Sequence, residues 1–387
     1  MTKDRIIFHC DLNSFFASVE EVLNPELKKV PMSVAGDPET RHGIILASNK
    51  LAKKFGVKTA ETIWQARRKC PNLVLVSPQQ NEYYEYSKKA FAIYGRYTDL
   101  VESFGCDEAW LDVTHSYKLF VKTPLELANL IRETMKKELG LTVSIGISFN
   151  KVFAKLGSDY KKPDAVTKIT RENGKKIVFP LPATDLLMVG KKSAIVLERL
   201  GIKTIGDLAH FDKDTLSNNL GILGETLWLY ANGKDESPVN PIREKEKSIG
   251  NGRTFEKDIK SYEELFPRVA KLAESVGWRC RQKKVKVGVI QVTIKSPALS
   301  KIQRQRKLQT HTNITREIRD IAMEIIKENW REGKPIRSIT ITASSLVDSE
   351  NTGVQTSFFD TGESIKSEKL QEALDNLKLK YGEDIIT

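Results

Sequence analysis

Residues 233–248, GKDESPVNPIREKEKS, divide the chain. The stretch holds two prolines, eight charged residues and few apolar ones. Such a segment contributes neither a core helix nor a central strand. A chain interrupted this way builds separate cores on either side and joins them by an extended linker. The length of 387 residues agrees, being too great for one ordinary core. Charge divides at the same place. Residues 237–359 hold 24 Lys and Arg against 14 Asp and Glu, while the rest holds 38 against 36. A basic module tied to a nearly neutral body is the electrostatic footprint of a nucleic-acid binder.

Composition excludes several classes. With 40% hydrophobic and 29% charged residues the chain reads as a soluble folded protein, not a disordered one. No run of about 18 apolar residues appears, so no membrane span is expected. The opening MTKDRIIFHC lacks the hydrophobic stretch of a signal peptide, and a cytoplasmic location is the default expectation. Cys10, Cys70, Cys106 and Cys280 form no CxxC pair, which argues against a zinc site or a disulfide framework. Reduced, mostly buried thiols are expected.

The first ~165 residues alternate strand and helix patterns. RIIFHCDL (5–12) reads as a short buried strand and SFFASVEEVL (14–23) as a helix. RHGIILAS (41–48) reads as a strand, and NKLAKKFGV (49–57) as a basic helix ended by Gly56. Residues 81–98 read as a helix with apolar spacing at Tyr84, Ala90, Phe91 and Tyr94. LVESFGCDEAWLDVT (100–114) suggests two strands about a tight bend. TPLELANLIRETMKKELG (123–140) is an amphipathic helix, LTVSIGISFN (141–150) a strand, and residues 150–164 a helix ending before Pro163. This alternation, with a hairpin, predicts a mixed or antiparallel sheet carrying helices, so the fold class is α+β. Residues 170–232 read as helical, with two helix–turn–helix units over 181–211. Beyond the linker, VKVGVIQVTIKS alternates cleanly. Ile290, Val292 and Ile294 should face a core, and Gln291, Thr293 and Lys295 should face out. SITITASSLV does the same, and SKIQRQRKLQT is a basic strand. Helices near 261–283 and 312–331 complete a small α+β domain, and EKLQEALDNLKLKYG forms a last amphipathic helix.

Two acidic stretches then stand out. Asp11, in HCDLNSFF, lies where a strand meets a helix; Asp107 and Glu108 lie side by side in the hairpin FGCDEAWLDV. Mg²⁺ takes oxygen ligands in octahedral geometry, commonly a few carboxylates and substrate phosphates. Two such ions stabilise the attacking and leaving oxygens of phosphoryl transfer. Adjacent acids in a regular strand would point to opposite faces. Gly105 precedes the pair, so the chain can bend there. Asp112 shares a face with Glu108 but lies roughly 13 Å along the strand, and is expected to be structural. Cys10 and Cys106, each preceding an acid, are expected to point into the core beneath.

HCDLNSFFASVE, FGCDEAWLDV and GISFNKVFAKLGSDYKKPD, in this order and spacing, resemble the Y-family of translesion DNA polymerases, and most nearly its bacterial polymerase IV branch. The resemblance spans about residues 5–359. It implies a right-hand fold: palm (1–14 and 79–169), fingers (15–78), helical thumb (170–236), linker (237–248), little finger (249–359) and a tail helix (360–387). It implies a DNA-directed DNA polymerase that adds dNTPs to a primer 3′-OH with two Mg²⁺ ions. Low fidelity, translesion synthesis in DNA repair and damage tolerance, and the absence of a proofreading exonuclease come with it. The expected form is a monomer acting on primer-template DNA. Asp11, Asp107 and Glu108 match the metal-binding carboxylates, and the Leu12 carbonyl matches the backbone ligand. Phe16 matches the steric gate that rejects a 2′-OH, and Lys162 matches a lysine on the incoming triphosphate. Lys50 and Lys53 stand where relatives carry a Tyr and an Arg on that triphosphate. They keep the charge but lack the Arg fork.

Further along, LLMVGKKSAIVLERLG resembles a helix-hairpin-helix, placing Gly190, Lys191 and Lys192 at a DNA phosphate, with Met188 where a second glycine is usual. Arg304, Arg306, Lys307 and Arg337 are candidate duplex contacts in the little finger. VQTSFFD supplies Gln355, Phe358 and Phe359, similar to the peptide that docks bacterial polymerases on the sliding clamp. Two rival classes fit less of the chain. A cyclase-like palm enzyme also uses paired acids but needs no separate basic module. A non-catalytic DNA-binding protein explains the charge but not Asp11, Asp107 and Glu108.

Overall fold

A computed structural model describes residues 4–37, 43–242, 245–349, 370–371, 373–377 and 380–381. These fall into two compact units that part between residues 242 and 245.

In the first unit β1 (Ile7–Leu12) runs into α1 (Phe15–Leu23), followed by β2 (Met32–Ala35), β3 (Ile45–Ser48), α2 (Lys50–Lys54), α3 (Ile63–Lys69) and β4 (Val74–Val76). Next come α4 (Gln80–Gly95), β5 (Val101–Ser103), β6 (Glu108–Asp112), α5 (Pro124–Leu139), β7 (Val143–Ser148), α6 (Lys151–Tyr160) and β8 (Val166–Lys168). The main sheet has the order β5-β6-β1-β7-β8. β1 is antiparallel to both β6 and β7, and β7 is parallel to β8, so the sheet is mixed. Every residue of β1 and β7 is buried. Helices cover both faces, which is why these strands read as continuous rather than alternating runs. On one face α1, α4 and α5 enclose a core with Phe8, Cys10, Leu12, Tyr94 and Ile131. On the other lies α6, so close that a Cβ on Gly146 of β7 would collide with the backbone of Ala154 and Ser158. That contact requires glycine.

The helix over 80–95 faces the core differently from the expected spacing. Tyr83, Ser87, Ala90, Ile93 and Tyr94 are buried, while Tyr84 is 58% exposed and carries the Lys88 ammonium over its ring. Both tyrosines satisfy a 3.6-residue period within one position, and only packing on α1 and α5 selects Tyr83.

β2, β3 and β4 form a small separate sheet over a core of Ala35, Ile45, Ala52, Ile63, Ala66 and Leu73. The helices α7 (Arg171–Val178), α8 (Lys191–Arg199), α9 (Ile205–His210), α10 (Lys213–Leu220) and α11 (Ile222–Ala231) surround Leu197, Ile205, Leu208, Leu216 and Leu227. The first half of the expected linker is extended but fastened. Val239 is buried against Ile7, Trp110 and Ala154. The Arg5 guanidinium donates to the Ser237 carbonyl at 2.8 Å, and the Asn240 N–H donates to the Glu102 carboxylate at 2.7 Å.

The second unit contains β9 (Ser248–Ile259), α12 (Tyr262–Gln282), β10 (Val285–Lys295), β11 (Lys301–Thr312), α13 (Thr315–Asn329) and β12 (Ile336–Asp348). Its antiparallel sheet has the order β11-β10-β12-β9. Ile290, Val292 and Ile294 are buried beneath α12 and α13, as the alternation predicts. Register then sorts the basic residues of β11 between the two faces of the sheet. Arg306 pairs with Ile290 and Arg304 with Val292, so both arginines lie on the helix side of the sheet. The Arg306 guanidinium is engaged by Glu324 and Glu328 of α13. Lys307, one residue on, takes the opposite face with Gln303 and Gln305. The described tail residues are helical, and Asp375 there accepts from Arg281 of α12 at 2.5 and 3.0 Å. Gln355, Phe358 and Phe359 lie outside the described residues.

Candidate active site

β1 and β6 run antiparallel with Asp11 directly opposite Glu108. Just outside β6 the Asp107 carbonyl accepts from the Leu12 N–H at 3.0 Å. Gly105 takes φ 155° in the bend, a conformation L side chains rarely adopt. Asp107 thus precedes the regular strand and need not alternate with Glu108. Cys10 is buried, as expected, but Cys106 is exposed, because the same bend turns it outward. Asp112 lies opposite Ile7, at the other end of the ladder, and accepts from the Thr114 N–H at 2.9 Å and the Thr114 hydroxyl at 2.5 Å. Its role is structural.

Burial raises the Asp11 pKa to about 6, against the pull of the Lys162 ammonium. Burial also raises Asp107, and the charge of Glu108 adds to it. Glu108 is buried too, but hydrogen bonds from His9 and Lys155 outweigh that and hold it at about 2. Two neighbouring carboxylates that resist ionisation are relieved by a cation of high charge. Hard carboxylate oxygens, buried at the end of a rigid ladder, suit Mg²⁺. Among the described residues no three ligating groups close on a single point. Ammonium groups take that charge instead. Lys162 Nζ lies 2.6 Å from Asp11 Oδ2 and 2.6 Å from Asp159 Oδ1, and Lys155 Nζ lies 2.5 Å from Glu108 Oε2. The donor set therefore fits divalent ions, with the lysines as their charge equivalents.

Lys155 and His9 do not stand out in the sequence. Lys155 and Asp159 share a face of α6 one turn apart, and Lys162 follows just beyond the end of the helix. His9 is fully buried, with Nδ1 2.8 Å from Ser158 Oγ and Nε2 3.3 Å from Glu108 Oε2. It shares a face of β1 with Asp11, two residues on. With the ring proton on Nε2, facing Glu108, Nδ1 accepts from the Ser158 hydroxyl.

Phe16, half-buried in α1, stacks on Tyr83 with ring centroids 4.2 Å apart. Lys53 donates to Ser14 Oγ at 2.6 Å; burial lowers its pKa, with the charge of Lys162 adding to it, so it belongs to the same site. Lys50 is exposed in the first turn of α2. Lys191 and Lys192 are exposed at the start of α8, and Gly190 donates its N–H to Ser193 Oγ at 2.9 Å. Met188 is 56% exposed with φ 73°, the left-handed region expected of the missing glycine. A β-carbon there costs roughly 1–2 kcal/mol. Met188→Gly should therefore raise stability by about 0.5–1 kcal/mol in denaturant unfolding; a loss instead would show that the thioether packs. Arg337 sits at a register break between β12 and β9.

Comparison with known proteins places the chain in a family. Residues 10–159 match the impB/mucB/samB family, and residues 246–358 match the impB/mucB/samB family C-terminal domain. DNA polymerase IV of Acetivibrio thermocellus is 46% identical over 98% of this chain and 95% of its own. DNA polymerase IV of Clostridium kluyveri is 37% identical over 99% of this chain and 97% of its own. A solved Y-family DNA polymerase chimera shares the fold, with a TM-score of 0.79 at 24% identity over 88% of this chain and 99% of its own. With both family models matched in order and relatives similar from end to end, the chain belongs to the polymerase IV branch of the Y-family, which are DNA-directed DNA polymerases.

Proposed function

We propose that this chain extends a primer by template-directed, two-metal phosphoryl transfer and does so with low fidelity, across damaged templates. The observation that carries the reading is the ladder register: Asp11 faces Glu108, with Asp107 at the adjoining bend. Asp11, Asp107, Glu108 and the Leu12 carbonyl would hold two Mg²⁺ ions. When bound, these lower the pKa of the primer 3′-OH and neutralise the triphosphate. Lys162 and Lys53 bind phosphate oxygens, and Lys50 supplies more distant positive charge. His9 and Lys155 keep Glu108 ionised and oriented. The Phe16 ring packs on the sugar and leaves no room for a 2′-OH. In this reading residues 1–14 and 79–169 are the palm, 15–78 the fingers, 170–236 the thumb and 249–359 the little finger. Fingers of about 60 residues cover the nascent pair loosely, which supports tolerance of lesions. The direct test is a primed template with Mg²⁺ and dNTPs. Stepwise extension that stops on chelation is expected; no extension at any salt concentration overturns the reading.

DNA is gripped in part by the open face of the second sheet. No described helix covers that face, which presents Lys295, Lys301 and Lys307 among Gln, Thr and Ser side chains. Lys295 and Lys301 are direct cross-strand partners. Like charges so placed are destabilising, and a phosphate between them removes the cost. Replacing Lys301 and Lys307 together by Gln should reduce the slope of log K against log salt by roughly two. An unchanged slope would remove this face from the interface. The peptide Gln355 to Phe359 docks the sliding clamp. Phe358→Ala with Phe359→Ala should abolish clamp stimulation and leave clamp-free extension unchanged; loss of both would mean a structural role.

A further inference from the structure

Glu20 is a carboxylate that none of the chemistry above uses, yet it is only 2% exposed. It stands one turn after Phe16 on α1, so the two side chains share a face. Tyr83 of α4 lies across both. Its ring stacks on the Phe16 ring at 4.2 Å with the planes 12° apart, and its hydroxyl donates to Glu20 Oε1 at 2.5 Å. Gln79, at the start of α4, donates Nε2 to Glu20 Oε2 at 2.8 Å. Phe15, buried in the core, stands beside the Phe16 ring at 5.7 Å. A buried carboxylate is expensive, and a leucine would fill the same space without that penalty. Of its two bonds, the one from Gln79 holds the carboxylate in place and the one from the Tyr83 hydroxyl fixes the tilt and depth of that ring.

From this clamp we infer that Tyr83 and Glu20 are positioning residues for sugar discrimination: they back the Phe16 ring so that it cannot yield to a ribose 2′-OH. The inference rests on reading Phe16 as the ring that packs on the sugar. Exclusion by one aromatic ring works only if the ring cannot retreat by about an ångström, since small displacements change selectivity greatly. Phe16 alone has two free torsions. Tyr83 closes off the direction of retreat, and the Glu20 tether stops Tyr83 from moving with it.

The test is single-nucleotide incorporation with matched dNTP and rNTP, reading the ratio of the two kcat/KM values. Tyr83→Leu should lower that ratio about tenfold through a rise in rNTP efficiency, with dNTP efficiency held within about threefold. Tyr83→Phe keeps the stack and loses the tether, and should lower the ratio about threefold. Glu20→Gln retains an acceptor for the Tyr83 hydroxyl and should keep the ratio near wild type. Phe16→Ala is the reference for complete loss. If Phe16→Ala collapses the ratio but both Tyr83 variants leave it unchanged, the clamp is refuted and the gate stands. If Tyr83→Leu lowers both efficiencies equally, Tyr83 is merely structural and the inference is again overturned. An unchanged ratio in Phe16→Ala itself removes the gate and the clamp together. Should Tyr83→Leu fail to fold, the nearly isosteric Tyr83→Phe carries the test.

Discussion

Asp107→Ala should abolish primer extension, lowering kcat/KM by about 10³-fold or more, because a lost metal carboxylate removes stabilisation where transition-state charge develops. Of the three acids it gives the cleanest experiment. Glu108→Ala would strand Lys155, whose remaining partner Asp159 is 4.0 Å away. Asp11→Ala would disturb Lys162, which also holds Asp159. Asp107 has no lysine partner among the described contacts, and burial already disfavours its charge. Its removal should leave the metal-free protein as stable as wild type or slightly more so, as at many functional sites. Extension within tenfold of wild type, in a variant with unchanged unfolding, would sink the assignment of Asp107 to the metals.

Phe16→Ala should raise ribonucleotide use by about 10²-fold, since an apolar pocket rejects an added hydroxyl by roughly that factor. Deoxynucleotide incorporation should fall as well, because the sugar loses a packing surface. Stability should drop by about 1–3 kcal/mol, for the half-buried ring leaves one face of Tyr83 without its stack. The measurement is kcat/KM for a matched rNTP and dNTP on one primed template. An enzyme that still rejects ribonucleotides would show that Phe16 is only a packing residue of α1.

Much of the site is legible in the order of residues alone. Asp11 at a strand end and Asp107 with Glu108 in a glycine-preceded hairpin can be read from residue type and spacing, because turns and metal carboxylates are local chemistry. Other features depend on partners distant in sequence. Tyr83 and Tyr84 are equally apolar candidates, and only the packing of α4 against α1 decides which one meets Phe16. Arg306 looks as basic as Lys307, but the ladder register turns it to Glu324 and Glu328. Cys106 resembles Cys10 in its place before an acid, yet one sits in a bend and the other in a central strand. Val239 belongs to a stretch that reads as free linker, and it is buried because Ile7, Trp110 and Ala154 leave a place for it.

That the chain parts into two units at the proline-containing stretch, that the second is basic, and that three carboxylates lie near strand ends all follow from residue order. Periodicity, net charge and glycine placement are properties of neighbours along the chain. Which groups neutralise those carboxylates is set by tertiary packing. Lys155 and Lys162 reach Glu108 and Asp11 because α6 packs tightly on β1 and β7, over a glycine that leaves room for its backbone. Charge pairing across such distances in sequence depends on packing geometry, which no single segment encodes.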